Sequence, residues 1–186
     1  MKKRRTLIIS LLLVAALALG IAYAAVDGVL IVDGKVQTVK QPFNVHFSAF
    51  SQGDAHAEVT GNLPAVTCQD TFPSKSIMLN VSGMASQGDY VEANLTIHNE
   101  NDCTMYVHSP VVKYGTTIDD TTHDTSDNIN VEVFYNGALW TDAIPIDVDA
   151  TVDIVVKITM KKSCTADTYQ EFFRMTVTGS PTNPNT

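Results

Sequence analysis

Past residue 28 the chain keeps a period of two, and that period limits the folds open to it. Phe43, Val45 and Phe47 alternate with Asn44, His46 and Ser48, and Ile77, Leu79 and Val81 with Met78, Asn80 and Ser82. Val91, Ala93, Leu95 and Ile97 alternate with Glu92, Asn94, Thr96 and His98. Ile129, Val131, Val133 and Tyr135, then Val152, Ile154, Val156 and Ile158, then Phe173, Met175 and Val177 repeat the pattern. Successive side chains of a strand point to opposite faces, so each run builds one apolar and one wet face. Turn-forming groups separate the runs: Ser51-Gln52-Gly53-Asp54, Gly61-Asn62, Ser86-Gln87-Gly88-Asp89, Asn99-Glu100-Asn101-Asp102, Asn136-Gly137 and Gly179-Ser180-Pro181. No segment beyond the leader sustains a helical period, although short helical turns fit near 63–74 and 164–171. The pattern predicts an all-β protein, an antiparallel β-sandwich or jelly roll, with one domain over residues 41–179 and a Pro-rich, disordered tail at 180–186.

Residues 1–24 read as a secretory signal helix. Lys2, Lys3, Arg4 and Arg5 form the positive region, Thr6 to Leu19 the apolar stretch, and Ala22-x-Ala24 the cleavage pattern. The very apolar stretch favours the general secretory route over a twin-arginine one. A retained anchor over Leu7–Ala25 is the competing reading, because that span is nearly long enough to cross a bilayer. Cleavage removes four of the 12 basic residues against 20 acidic ones. The resulting acidic chain is expected to be secreted or held at the cell surface, and it has no charge basis for binding nucleic acid.

The three cysteines, Cys68, Cys103 and Cys164, all lie in the exported part, where disulfides are permitted. Three pairings are open, and Cys103–Cys164 is favoured because both fall at predicted strand ends or turns. No C-x-x-C or mixed Cys/His spacing supports a zinc site. The histidines His46, His56, His98, His108 and His123 show no H-E-x-x-H spacing. His98 and His108 flank one predicted hairpin, but solvated polar-face positions account for all five. Asp119, Asp120, Asp124 and Asp127 crowd one loop without the glycine or spacing of a calcium-binding loop, and Asp147, Asp149 and Asp153 form a second acidic stretch. There is no nucleophile elbow or phosphate loop, so neither an enzyme nor a cofactor nor a metal is expected. The sequons at Asn80 and Asn94 fall in predicted strands and are discounted.

The stretch QGDYVEANLTIHNENDCTMYVHSP (87–110) follows a definite order: a Gly-Asp turn, an alternating strand ending in Asn, a polar turn and a second short strand. Residues 149–177 echo it more loosely, and the leader ends in GIAYAAVDGVLIVDG. Together these features resemble the TasA/camelysin family of exported bacterial proteins across essentially the whole chain. The resemblance implies a jelly-roll domain and a leader cut by a SipW-type signal peptidase. It also implies fibres in a biofilm matrix, in which the N-terminal segment of one subunit pairs with the sheet of the next. Some members carry a metalloendopeptidase label. The three cysteines and the Phe-rich stretch Phe43–Phe50 depart from the family pattern.

Against that background the segment 25–40 acquires a role. Val29, Leu30, Ile31 and Val32 are apolar on both faces of any strand they form, and Val36 continues the run past Gly34. Left exposed, such a strand invites edge-to-edge association. Two readings stand side by side: a donor strand that inserts into another copy, or the first strand of the chain's own sandwich. The expected function is a secreted structural subunit of an extracellular fibre that assembles by strand donation. Its partners would be other copies of itself, accessory matrix proteins and the signal peptidase. A membrane-anchored monomeric binding module is the alternative, and a secreted metallopeptidase ranks last.

Overall fold

Each of the six alternating runs forms a strand in the computed structural model, which describes residues 43–59, 63–115, 117, 119–164 and 169–183. The leader with Ala22 and Ala24, and the segment 25–40 with Val29, Leu30, Ile31, Val32 and Val36, lie outside these residues. In chain order the strands are β1 (Val45–His56), β2 (Ala65–Cys68), β3 (Ser76–Ser82), β4 (Tyr90–Asn99) and β5 (Met105–Gly115). They continue with β6 (Ile129–Tyr135), β7 (Ala138–Leu139), β8 (Ile144–Ile146), β9 (Thr151–Met160) and β10 (Gln170–Ser180).

The strands form two five-stranded antiparallel sheets, ordered β1-β4-β9-β6-β7 and β2-β3-β10-β5-β8. From β3 onward the chain changes sheet at every connection except the β6–β7 hairpin, so most adjacent pairs join elements distant in sequence. The result is an antiparallel β-sandwich, whose alternating runs supply the interior. Val91, Ala93, Leu95, Ile97, Ile154, Val156 and Ile158 come from the first sheet, and Ile77, Leu79, Val81, Phe173, Met175 and Val177 from the second. Each fully buried Leu, Ile or Phe contributes roughly 1.5–3 kcal/mol through removal of apolar surface from water. The other intervening positions are half-buried or exposed, as the period of two requires, whereas Met78 and His46 are buried.

Two local readings are corrected by the structure. The turn expected at 51–54 does not interrupt β1, which runs to His56 with a register shift between Gln52 and Ala55. Gly53 takes the irregular position because a Cβ there would meet the Glu92 Cβ at 3.1 Å. The stretch 63–74 holds β2 rather than a helical turn, since Ala65–Cys68 pairs with Ser82–Leu79 of β3. The turn at Asn136-Gly137 is as expected: both residues have positive φ, 50° and 76°, the conformation of a tight two-residue hairpin.

The expected Cys103–Cys164 disulfide is also overturned, as no disulfide joins any of the three cysteines. Cys103 follows the Asn99 end of β4, where its carbonyl accepts from the Asn99 side chain at 3.0 Å. Cys164 follows β9, which pairs Thr159 with Tyr90 at the opposite end of β4, and its amide bonds the Ala85 carbonyl at 2.8 Å. A ten-residue strand spans about 30 Å, whereas a disulfide needs Cα atoms within roughly 7 Å. Cys68 lies on β2 of the other sheet, in register with Leu79.

The turn before β4 is closed by a buried carboxylate. Asp89 is 2% exposed and accepts from the amides of Ala85, Ser86 and Glu58, each at 2.8 Å. Burial alone would raise its pKa. The three amide hydrogen bonds outweigh burial and hold the carboxyl below its ordinary value.

Candidate functional site

Two features of the sandwich are chemically distinctive, a long sheet edge and a histidine–carboxylate cluster at one end. The edge belongs to β1. Among the described residues the other border strands, β2, β7 and β8, have only four, two and three residues, whereas β1 has 12. Among the described residues β1 pairs along its length with β4 alone, apart from the bridge between Phe47 and Ser74. The Gln52 side chain reaches across to the Val66 amide of β2 at 3.1 Å. The connection after β1 carries Val59 and Leu63, each 64% exposed, two of the large apolar side chains left in solvent.

The cluster lies where β1 begins and β4 ends. His46 of β1 is the direct cross-strand partner of His98 of β4, so the two rings share one face of the sheet. Glu100, two residues past His98, returns to that face. The rings meet edge to face with centroids 5.5 Å apart. Glu100 Oε1 lies 3.6 Å from His46 Nε2 and 3.8 Å from His98 Nδ1. Asn44 fixes Glu100 twice: its Nδ2 donates to Oε2 at 2.9 Å, and its carbonyl accepts from the Glu100 amide at 3.0 Å. His98 Nε2 donates to Asp149 Oδ1 at 3.0 Å, because a carboxylate can only accept.

The loops beneath the cluster are held by Asn99, which is wholly buried. Its Nδ2 donates to the carbonyls of Ile146, Cys103 and Asp147 at 2.8–3.0 Å, and its Oδ1 accepts from the Asn101 backbone and side chain. His46, with a side chain 6% exposed, has its pKa lowered. Burial is the largest cause; His98 and Lys75 add to it, and the Glu100 carboxylate opposes it. At neutral pH its imidazole is therefore uncharged, with a nitrogen lone pair available to a ligand-seeking ion.

Sequence reasoning placed these histidines on polar faces but did not pair them. It noted His98 and His108 as flanking one hairpin, yet β4 and β5 belong to different sheets and His108 aligns with Thr178 of β10. The signal that finds the cluster is His98-x-Glu100 at a strand end, combined with the β1–β4 register. The remaining candidates are engaged separately. His56 stacks on Tyr90, and His123 pairs its backbone with Tyr114. Asp124 bonds Lys113, Asp147 accepts from Thr104, and Asp153 accepts from Thr96. Among the described residues, His46, His98 and Glu100 form the one group of three with ligand atoms close enough to share an ion.

Fold and site together define an antiparallel β-sandwich whose β1 border is paired along one side among the described residues, with a metal-ligand-type cluster beside it. In comparison with known proteins, no family model matches the chain and no curated protein matches it at a significant level.

Proposed function

We propose that the protein is a secreted structural subunit of an extracellular fibre, assembled by β-strand donation between copies. The observation that carries this reading is the β1 border, 12 residues long and paired along one side among the described residues. Unpaired strand borders attract further strands, and soluble proteins usually shorten or cover them. The donor is the segment with Val29, Leu30, Ile31, Val32 and Val36, whose two apolar faces need burial on both sides. Main-chain hydrogen bonds to β1 would supply affinity, and Val59 and Leu63 would add apolar contact near the end of the border. Donation from one copy to the next is a head-to-tail contact that does not close on itself, so it grows into a filament. The resemblance to the TasA/camelysin family supports the same reading, including a role in a biofilm matrix.

Electron microscopy of the purified secreted protein tests it. The expected result is unbranched filaments at micromolar concentration, and a protein that stays dispersed at every concentration contradicts the proposal. Mass spectrometry of the same sample distinguishes a cleaved subunit, beginning near Ala25, from an anchored one.

A further inference from the structure

We propose that His46, His98 and Glu100 bind a single divalent transition-metal ion of the zinc class. The inference is independent of the fibre reading. Two imidazole nitrogens and a carboxylate oxygen form a borderline donor set, suited to zinc-like ions rather than to calcium or magnesium, which take six or more oxygens.

The spacing fits that chemistry. Two ligand atoms, each about 2.1 Å from a tetrahedral ion, sit about 3.4 Å apart. His46 Nε2 and His98 Nδ1 stand 3.6 and 3.8 Å from Glu100 Oε1, and one ligand atom from each of the three residues lies within 4.8 Å of the others. Closure onto an ion therefore requires movements of a few tenths of an ångström for the carboxylate pairs and of up to about 1.4 Å between the two imidazoles. These distances are too long for hydrogen bonds, so none has to be broken between the ligands.

The surroundings orient each ligand. Asp149 accepts a hydrogen bond from the Nε2–H of His98, which leaves the Nδ1 lone pair facing Glu100. A carboxylate behind a ligating histidine fixes its tautomer and raises its basicity. Asn44 holds the other oxygen of Glu100, leaving Oε1 for the ion. The two histidines stand on paired strands rather than loops, so their separation is set by the β1–β4 register. Three protein ligands with Glu100 nearly half exposed leave a fourth position for water.

The test is calorimetric titration of the full secreted chain with zinc chloride at neutral pH and physiological salt. The expected result is one ion per chain, with affinity falling more than about a hundredfold in His98→Ala or Glu100→Gln. The Asp149→Asn variant should bind about tenfold to a hundredfold more weakly, as removal of an outer-shell partner does. Asp120→Asn with Asp124→Asn, in the acidic loop, should leave binding unchanged. Because His98→Ala could disturb folding, histidine ring resonances of the unmutated protein give a second readout: zinc should shift those of His46 and His98 and spare His56, His108 and His123. Absence of stoichiometric binding, binding that survives His98→Ala and Glu100→Gln, or shifts spread over all five rings would overturn the assignment.

Discussion

Deletion of Ala25–Val39 from the secreted chain is expected to leave a folded, soluble monomer that forms no filaments at any accessible concentration. Among the described residues the two sheets run from Val45 to Ser180 and enclose one apolar interior, which gives the sandwich its own source of stability. On the fibre proposal the deletion removes the donor. Burial of Val29, Leu30, Ile31 and Val32 at about 25 cal/mol per Å2 of apolar surface would then supply several kcal/mol per junction, before the cost of association is subtracted. Loss of even 3 kcal/mol raises the concentration needed for assembly by about a hundredfold. Sedimentation velocity and circular dichroism on the truncated protein read both halves of the result. A truncated chain that unfolds would instead assign the segment to its own sandwich.

The second large effect is at Asp89. Asp89→Ala removes the buried acceptor shared by three amides, those of Ala85, Ser86 and Glu58, in a turn whose Ala85 and Glu58 reach solvent. An unsatisfied buried donor costs about 1–3 kcal/mol and water can replace part of what is lost here, so a total loss of about 2–3 kcal/mol is expected. Asp89→Asn offers one acceptor oxygen in place of two and should fall between. The pH dependence has a fixed sign. The folded carboxyl has a depressed pKa, so its contribution is fully present above the ordinary carboxylate pKa of about 3.9 and is lost as pH falls through the lower folded value. Urea melts at pH 7 and pH 3 should show the difference between wild type and Asp89→Asn shrinking at the lower pH. An equal difference at both values would mean that the carboxylate is not what closes the turn.

What the sequence made legible was local. Val91 to Ile97 and Val152 to Ile158 announce their strands because alternation is written in neighbouring residues, and Asn136-Gly137 announces its turn because few residues tolerate positive φ. Two elements were hidden by their composition. Ala65–Cys68 is too short to show a period, and Gly53-Asp54 resembles a turn although β1 continues through it as an irregularity between Gln52 and Ala55. The His46–His98 pairing and the separation of Cys103 from Cys164 depend on which strands become neighbours, and register between distant segments is not encoded in either segment alone. Turn-like surroundings for two cysteines say nothing about which end of the sandwich each turn occupies. A histidine on a wet face likewise looks the same whether its cross-strand neighbour is Thr or another histidine.

On the fibre proposal, the border of β1 that is unpaired among the described residues is completed by a strand from another copy. Hydrogen exchange of β1 amides over residues 49–56, in dilute protein and in assembled fibres, tests it most directly. The account predicts that the outward-facing amides exchange readily in the dilute protein and become protected on assembly. Full protection already present in a monodisperse protein would contradict it, because the border would then be filled from within its own chain.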